Sequence, residues 1–437
     1  MNDLSRRPPP PPEPPFPGPP AEPPRPRRPA RAGPFGVLDV GTTKVSCLIG
    51  RADADGAVRV LGFGWQRGRG VRAGGITDLD EAERAIRRAV AAAEEMAEHR
   101  LHAVTVNLTC GQPESRFFDV QWPMGGRAVA ESDVGRVAHD GRNRAHREGR
   151  ETIHVLPLGF SVDDTSGVGD PRGMHCERLS ARLHVVDAAS GALRNLAATV
   201  QRCELDIAEL VSAPLAAGLA VLVEDERELG ATVIDMGGGT TGVAVFGEGQ
   251  VLHTAQLPLG GVHVTNDIAR LLSTPVAHAE RLKTLYGHAE PCADDERELL
   301  PVPLVGEEEH HIAKVPRSRV VEIIRPRLEE TFELARERLE GAGLTRAAGR
   351  VVLTGGASQL VGVREMAGRI LGRQVRLGRP SPPPGLPDPA CGPAFATAAG
   401  LLAWAAGEGR PPGELGASSR PPAGPWRRFV AYLRERV

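Results

Sequence analysis

The succession strand, aspartate, glycine turn, two threonines, strand occurs twice in this chain. The first copy is Phe35-Gly-Val-Leu-Asp-Val-Gly-Thr-Thr-Lys-Val-Ser-Cys-Leu-Ile-Gly50, and the second is Ala231-Thr-Val-Ile-Asp-Met-Gly-Gly-Gly-Thr-Thr-Gly-Val-Ala-Val-Phe246. Apolar and β-branched runs on either side of each turn predict strands. Glycine has no Cβ, so the backbone N–H groups around Gly41 and around Gly237, Gly238 and Gly239 can approach an anion closely. Thr42, Thr43, Thr240 and Thr241 bring hydroxyls suited to phosphate oxygens, and Lys44 brings a positive charge. Asp39 and Asp235, at the strand ends, suit Mg²⁺, usually through water. One such turn is equally an ordinary hairpin. A third turn, Gly355-Gly-Ala-Ser358 with Gly356 and Ala357 inside it, follows another apolar strand at Val351 to Leu353. The recurrence of the pattern favours anion binding over two ordinary hairpins.

The chain has 437 residues, enough for two or more domains with a large core. Hydrophobic content of 41% and charged content of 25% are those of a globular protein, and a net charge of −2 gives no reason to expect nucleic acid as a partner. The six cysteines include no CxxC pair, a spacing that suits reduced thiols better than a disulfide frame or zinc site. The longest near-apolar run, Ala394 to Ala406, falls short of the roughly 20 residues a bilayer crossing needs. No apolar segment follows the early arginines, so no secretory signal is expected.

Residues 1–34 hold 15 prolines. Proline removes a backbone donor and favours extended conformation, so a disordered, solvated arm is expected over 1–33; a proline-motif ligand is the other reading. An amphipathic helix is expected from Glu81 to Arg100 and an alternating strand from His102 to Thr109. From 102 to 183 short strands, a polar helix at Glu131 to Arg147 and glycine-rich loops predict a small inserted α+β unit. Its histidines, His139, His146, His154, His175 and His184, have no ligand spacing and are expected to be surface or structural. Further on, Ala213 opens a helix, and Glu280 and Lys283, three apart, share a helix face. Ser318 to Leu339 is expected as a long helix interrupted at Pro326, and Ala394 to Ala406 as a small-residue helix returning to the first domain.

The two hairpins and the later strand-Gly-Gly turn resemble the nucleotide cleft of the actin, heat-shock chaperone and sugar-kinase superfamily. That resemblance implies two facing α/β domains with duplicated ribonuclease-H-like cores and ATP between them. The first two turns would hold the phosphates and Mg²⁺, and the third would lie against the adenosine. In chaperone relatives an acidic and a basic residue on one helix embrace the adenosine, which assigns Glu280 and Lys283; a surface ion pair is the competing reading.

A closer resemblance rests on Glu224-Asp-Glu-Arg-Glu-Leu-Gly230, Ile234-Asp-Met-Gly-Gly-Gly-Thr240, Val352-Leu-Thr-Gly-Gly-Ala357 and Glu322-Ile-Ile-Arg-Pro-Arg327, which are similar to the FtsA family of actin-like bacterial cell-division proteins. It implies subdomain 1A at 34–101 with 184–213 and 394–406, an inserted subdomain 1C at 102–183, 2A at 214–263 with 349–393, and 2B at 264–348. A linker at 407–425 then leads to a membrane-targeting helix at 426–437. In that last segment Trp426, Phe429, Val430, Leu433 and Val437 fall in one helical stripe about 100° wide. Arg434 and Arg436 flank the stripe, and Arg427 and Arg428 lie further round. Twelve residues are marginal as a free helix, but an anionic bilayer would fold them, with reversible attachment strengthened by assembly; docking on the protein's own surface is the alternative.

By resemblance the chain is a peripheral protein of the inner membrane at the division site, forming filaments and recruiting other division proteins. Its partner is FtsZ, whose carboxyl-terminal tail would dock on 264–348 beside Arg327. Where polymerising relatives often carry a glutamate near a helix start, this chain has Ala213, so nucleotide binding with slow or negligible hydrolysis is expected. The other readings are an actin-like adaptor of type IV pilus assembly resembling PilM, and a sugar or metabolite kinase, for which no aspartate base or sugar signature is found.

Overall fold

The computed structural model describes residues 33–53, 57–307, 312–344, 349–381 and 383–410. The proline-rich arm up to residue 32 and the tail from 411, with Trp426, Arg427, Arg428, Phe429, Val430, Leu433, Arg434 and Val437, lie outside the described residues.

The first half opens with an antiparallel meander, β1 (Phe35–Val40), β2 (Lys44–Ala52) and β3 (Val58–Arg67). A small hairpin, β4 (Val71–Arg72) and β5 (Gly75–Ile76), leads into α1 (Leu79–Ala97). Asp78 starts that helix by accepting the N–H groups of Asp80 and Glu81, each at 3.0 Å. The helix buries Ala82, Ala85, Ile86, Ala89, Val90 and Ala93, the stripe its 3.6-residue period sets. β6 (Ala103–Leu108) then pairs in parallel with β1.

The inserted unit comes next: β7 (Glu114–Pro123), α2 (Glu131–Ala145), β8 (Arg150–Val162), β9 (Thr165–Val168) and β10 (Arg178–Ala189). Its sheet has the order β7-β10-β8-β9 and its own core, in which Val134, Val137 and Ala138 of α2 meet Val155, Leu179 and Leu183. This moves one sequence expectation. The strand near residue 102 belongs to the first sheet, where β6 lies between β1 and β11, so the inserted sheet begins at Glu114 and runs past 183 to Ala189. Strand alternation alone does not say which sheet a strand joins.

The chain returns through α3 (Ser190–Arg202) and β11 (Asp206–Ser212), which completes a five-stranded sheet in the order β3-β2-β1-β6-β11. It crosses over in α4 (Ala213–Val221) and α5 (Glu224–Leu229). The second half repeats the plan: a meander of β12 (Ala231–Met236), β13 (Thr241–Gly247) and β14 (Gln250–Leu257), with parallel strands added later beside β12. Between come α6 (Gly261–Leu271), α7 (Val276–Tyr286), the ribbon β15 (Leu299–Pro303) and β16 (Ile312–Pro316), and α8 (Arg317–Gly341). β17 (Arg350–Thr354), α9 (Val363–Leu371) and β18 (Val375–Leu377) close the second sheet in the order β14-β13-β12-β17-β18, the same succession as the first. α8 continues through Pro326 rather than breaking there; Val320, Val321, Ile323 and Ile324 before it and Leu328 and Phe332 after it are buried on one packed face, which outweighs the lost backbone bond.

The last helix, α10 (Ala396–Ala405), is buried with α4 between the two sheets. Phe35, Val37 and Leu48 of the first sheet, Val233, Ala244 and Phe246 of the second, and Leu401 and Trp404 of α10 form one shared core. Truncating Trp404 or Phe246 to alanine there removes about 3–5 kcal/mol of stability. The inserted unit touches both halves. His154 accepts the Ser212 N–H at 3.0 Å on the first, while Ser115 and His184 bond the backbone of β14 on the second. His154 and His184 are therefore structural histidines, as expected.

Candidate functional site

The duplicated turns meet face to face. Each closes with the same bond, Gly41 N–H to Lys44 O at 2.9 Å and Gly237 N–H to Thr240 O at 2.9 Å. A Cβ on Gly238 would lie 2.5 Å from Thr43 Cγ2, and one on Gly239 would lie 2.2 Å from Thr42 Oγ1, so only glycine lets the second turn approach the first this closely. Both turns are braced from behind. Gly68 N–H donates to Thr43 O at 2.8 Å, and Gly261 and Val262 donate to Gly237 O and Gly238 O at 3.0 and 2.8 Å. The Thr241 hydroxyl donates to Leu259 O at 2.9 Å and thus serves the turn's own support.

Asp39 and Asp235 stand at the ends of β1 and β12, one behind each turn. Asp39 accepts from Asn107 Nδ2 at 2.8 Å and from Lys44 Nζ at 3.1 Å. Asn107 in turn accepts the Val40 N–H at 2.7 Å, which fixes the amide's direction. Asp235 accepts from Thr397 Oγ1 at 2.8 Å. Burial pushes the Asp235 carboxyl up to about 6; the nearby Asp39 charge adds to the rise, while the Thr397 bond and Lys44 oppose it. The two acids thus lie near each other across a glycine-lined gap, Asp39 paired with Lys44 and Asp235 held by Thr397.

The floor of the cleft is residues 393–397. Ala394 O accepts Lys44 Nζ at 2.6 Å, and the Phe395 ring lies 4.2 Å beneath that ammonium. Pro393 O accepts the Gly355 N–H at 3.2 Å, and Thr397 holds Asp235. This short stretch is thus bonded to both halves. Gly355 has φ +86°, and a Cβ there would fall 2.4 Å from Asp235 Oδ1, so the third turn also requires glycine where it passes the acid.

Glu280 and Lys283 join the same assembly. Lys283 Nζ donates to Glu280 Oε2 at 2.6 Å, to Thr265 Oγ1 at 2.8 Å and to Gly261 O at 3.1 Å. Gly261 lies against both Lys283 and Ala357 of the third turn. Burial would raise the Glu280 carboxyl, but the bonds from Lys283 and Thr265 prevail and hold it below the ordinary range. Gly356 begins the short 3-10 turn, and the buried Ser358 hydroxyl donates back to Gly355 O at 2.7 Å. All three turns and the α7 pair are therefore brought together around one cleft. Asn107, Thr265, Ala394, Phe395 and Thr397 belong with them and were not singled out from sequence. Thr397 carries the one hydroxyl in the run Ala394 to Ala406, and Asn107 is the amide in an apolar strand; those were the available signals.

Arg327 lies elsewhere, in a groove of about 320 Å³ between α6 and α8 lined by Leu271, Ile323 and Pro326. Its guanidinium donates to Asp267 at 2.7 Å and is paired with Glu330. Among the described residues no helix is long and apolar enough to cross a membrane, and no cluster of three or more His, Cys, Asp or Glu side chains is placed to hold a metal ion.

Two repeated five-stranded sheets about a turn-lined cleft define an actin-like fold. Solved structures agree: the chain superposes on a protein of the PilM-PilN type IV pilus biogenesis complex with a TM-score of 0.60 at 17% identity, covering 84% of this chain and 97% of that one. MreB 5 of Spiroplasma citri bound to AMPPNP gives 0.51 at 13% identity, over 85% and 95%. Within that class the sequence is more specific. A family model described as cell division protein FtsA matches residues 232–400, and one described as the SHS2 domain inserted in FtsA matches residues 110–187. The chain is 44% identical over 380 residues to cell division protein FtsA of Rhizobium meliloti, covering 84% of this chain and 86% of that protein. It is 35% identical over 378 residues to that of Escherichia coli K12, covering 84% and 88%. The chain belongs to the FtsA family of cell division proteins.

Proposed function

We propose that this FtsA-family protein binds ATP with Mg²⁺ between its two halves and tethers FtsZ filaments of the division ring to the cytoplasmic face of the inner membrane. The observation that carries the nucleotide reading is the contact between the two glycine turns, with Asp39 and Asp235 one behind each. The N–H groups of residues 41–43 and 237–240, with Lys44, would hold the phosphates. Asp39 and Asp235 would hold Mg²⁺ through water, and the ion would offset the charge that burial disfavours on Asp235. Glu280, Lys283 and residues 355–358 would flank the adenosine.

Binding across the gap favours the closed form and, with it, assembly into filaments, where many weak membrane contacts add. The stripe Trp426, Phe429, Val430, Leu433 and Val437 would enter the lipid interface with Arg427, Arg428 and Arg434 at the headgroups. The groove beside Arg327 would receive the acidic FtsZ tail. The methyl side chain of Ala213, the first residue of α4, offers no base to orient a nucleophile. Hydrolysis should therefore run far below the roughly 1–100 per second of kinases.

Co-sedimentation with anionic vesicles and FtsZ, with and without ATP, tests the whole reading. FtsZ should pellet with vesicles only when the protein is present. Removing residues 426–437 should leave both in the supernatant, and unchanged pelleting would refute the tether. The pilus-adaptor reading has only fold similarity behind it; binding to a pilus-membrane-protein peptide in preference to an FtsZ tail peptide would favour it.

A further inference from the structure

The segment from Gly68 to Ile76 touches both phosphate turns. At its start the Gly68 N–H donates to Thr43 O of the first turn at 2.8 Å. Further along, at the tip of the β4–β5 hairpin, Ala73 reaches the second turn: a Cβ on Gly239 would lie 3.1 Å from the Ala73 nitrogen. The tip is held in that place from behind. Val71 is buried in the core of the first half, the Thr109 hydroxyl donates to Gly74 O at 3.3 Å, and the Thr77 and Asp78 N–H groups donate to Gly70 O at 2.8 and 3.1 Å. Ala73 itself has φ +45°, a left-handed conformation that glycine adopts freely and alanine does not. Backbone held there against its preference is found where a ligand is clamped.

Arg72 stands at this tip. Strand alternation turns it to the face opposite Val71, away from the first core, and it is exposed. Its guanidinium has no hydrogen-bond or ion-pair partner among the described residues. The cations around it are committed. Lys44 donates to Asp39 and to Ala394 O, and Arg69 is paired with Glu81 at 3.9 Å. Arg67, at the cleft end of β3 opposite Lys44, lies near enough to Glu280 to help hold that carboxyl below its ordinary range. Arg72 is therefore the unmatched positive charge beside the second turn. Its place also fixes which end of a ligand it meets. Gly355 of the third turn meets the start of the second turn, at Asp235 and Met236, whereas Ala73 meets the far end, at Gly239. With the adenosine at the third turn, the phosphate furthest from it comes to the hairpin.

We propose that the β4–β5 hairpin reads the last phosphate of a nucleoside triphosphate, with Arg72 as the residue that pairs with it. The proposal rests on the ATP reading above and names the group that tells a triphosphate from a diphosphate. A guanidinium matches phosphate oxygens with two parallel N–H donors, and Arg72 has no protein partner to give up in doing so. A triphosphate joins Arg72, fixed to the first half, to the N–H groups of the second turn, and so draws the two halves together. A diphosphate stops short of the hairpin and leaves Arg72 in water.

The test is calorimetric titration of the full chain with Mg·ATP and with Mg·ADP. The native protein is compared with Arg72→Gln, Arg72→Lys and Arg69→Gln, the last removing a charge from the same segment where it faces Glu81. Arg72→Gln should weaken ATP about tenfold and ADP less than about twofold, with its melting temperature unchanged. Arg72→Lys should recover part of the loss, because the charge returns without the fork. Arg69→Gln should bind both nucleotides as the native chain does. As a second readout, ATP should slow tryptic cleavage after Arg72 in the native chain more than ADP does. Equal loss of ATP and ADP affinity in Arg72→Gln, or no loss of either, overturns the proposal and leaves the nucleotide reading in place. So does an equal ATP loss in Arg69→Gln, which would mark a general attraction of charge. A native chain that binds neither nucleotide overturns both.

Discussion

The hydroxyl of Ser115 lies 2.6 Å from the carbonyl oxygen of Thr254, and the Thr254 N–H returns a bond to it at 3.0 Å. Beside it, His184 Nδ1 meets Val251 O at 2.9 Å. A carbonyl can only accept, so Nδ1 carries the proton and Nε2, 2.8 Å from Ser115 Oγ, is the bare nitrogen. Side chains of the inserted sheet thus stand where a further strand would satisfy the outer edge of β14.

Ser115→Val should therefore cost about 1–3 kcal/mol, because the Thr254 N–H and carbonyl oxygen both lose their partner in a buried place. A lower urea midpoint would show it. An unchanged midpoint would mean that the edge is satisfied some other way.

His184 supplies a pH signature. Burial, with His253 nearby, pushes its imidazole down to about 3. Between about 3 and 6.5 the unfolded chain takes up a proton that the folded chain refuses, so this group's contribution to stability is intact above about 6.5 and falls as pH drops. The loss should reach about 2 kcal/mol at pH 5. Denaturant titrations at several pH values should show the slope, and His184→Gln should flatten it.

Asp235 has the opposite sign. Its folded-state value of about 6 lies above the unfolded one, so the contribution is greatest below about pH 4 and is lost as pH rises through 6. Asp235→Asn should raise stability at pH 8 by about 2 kcal/mol, trimmed because the side chain keeps some access to solvent, and should leave pH 4 nearly unchanged. The same variant should lose Mg²⁺-dependent nucleotide binding. Thermal melts at the two pH values, beside calorimetric titration with ATP, check both halves.

Gly238→Ala places a methyl 2.5 Å from Thr43 Cγ2 and should wedge the turns apart. Nucleotide affinity should fall at least about tenfold, a loss of about 1.4 kcal/mol, with the circular dichroism spectrum unchanged. Adding Thr43→Gly removes the obstructing atoms and should restore part of the affinity. No restoration would place the cause outside this contact.

Arg327→Glu leaves four acids, Asp267, Glu322, Glu330 and the new one, together in the α6–α8 groove. Affinity for an acidic FtsZ tail peptide, read by fluorescence anisotropy, should drop at least about tenfold and lose its salt dependence.

The cleft was legible because its rules are local. A strand, an acid and glycines within a few residues state their own geometry, and so does Asp78 ahead of α1. Asn107 and Thr397 were not legible, because they reach Asp39 and Asp235 from 68 and 162 positions away and nothing around them declares the partner. The placement of β6 failed for the same reason: its alternation names a strand but not its neighbours. Pro326 marks the reverse case, where a local rule for ending a helix yields to the apolar face buried on both sides of it.

α10 has its first turn at Asp235 and its last at Trp404 and Arg410. It spans about 15 Å as a single rigid rod. Tension on the chain beyond Arg410 would accordingly be delivered, with no slack joint between, to the stretch that joins Lys44, Gly355 and Asp235. Arg410 and the floor between the two halves form one mechanical line, and a tug on either is felt at the other.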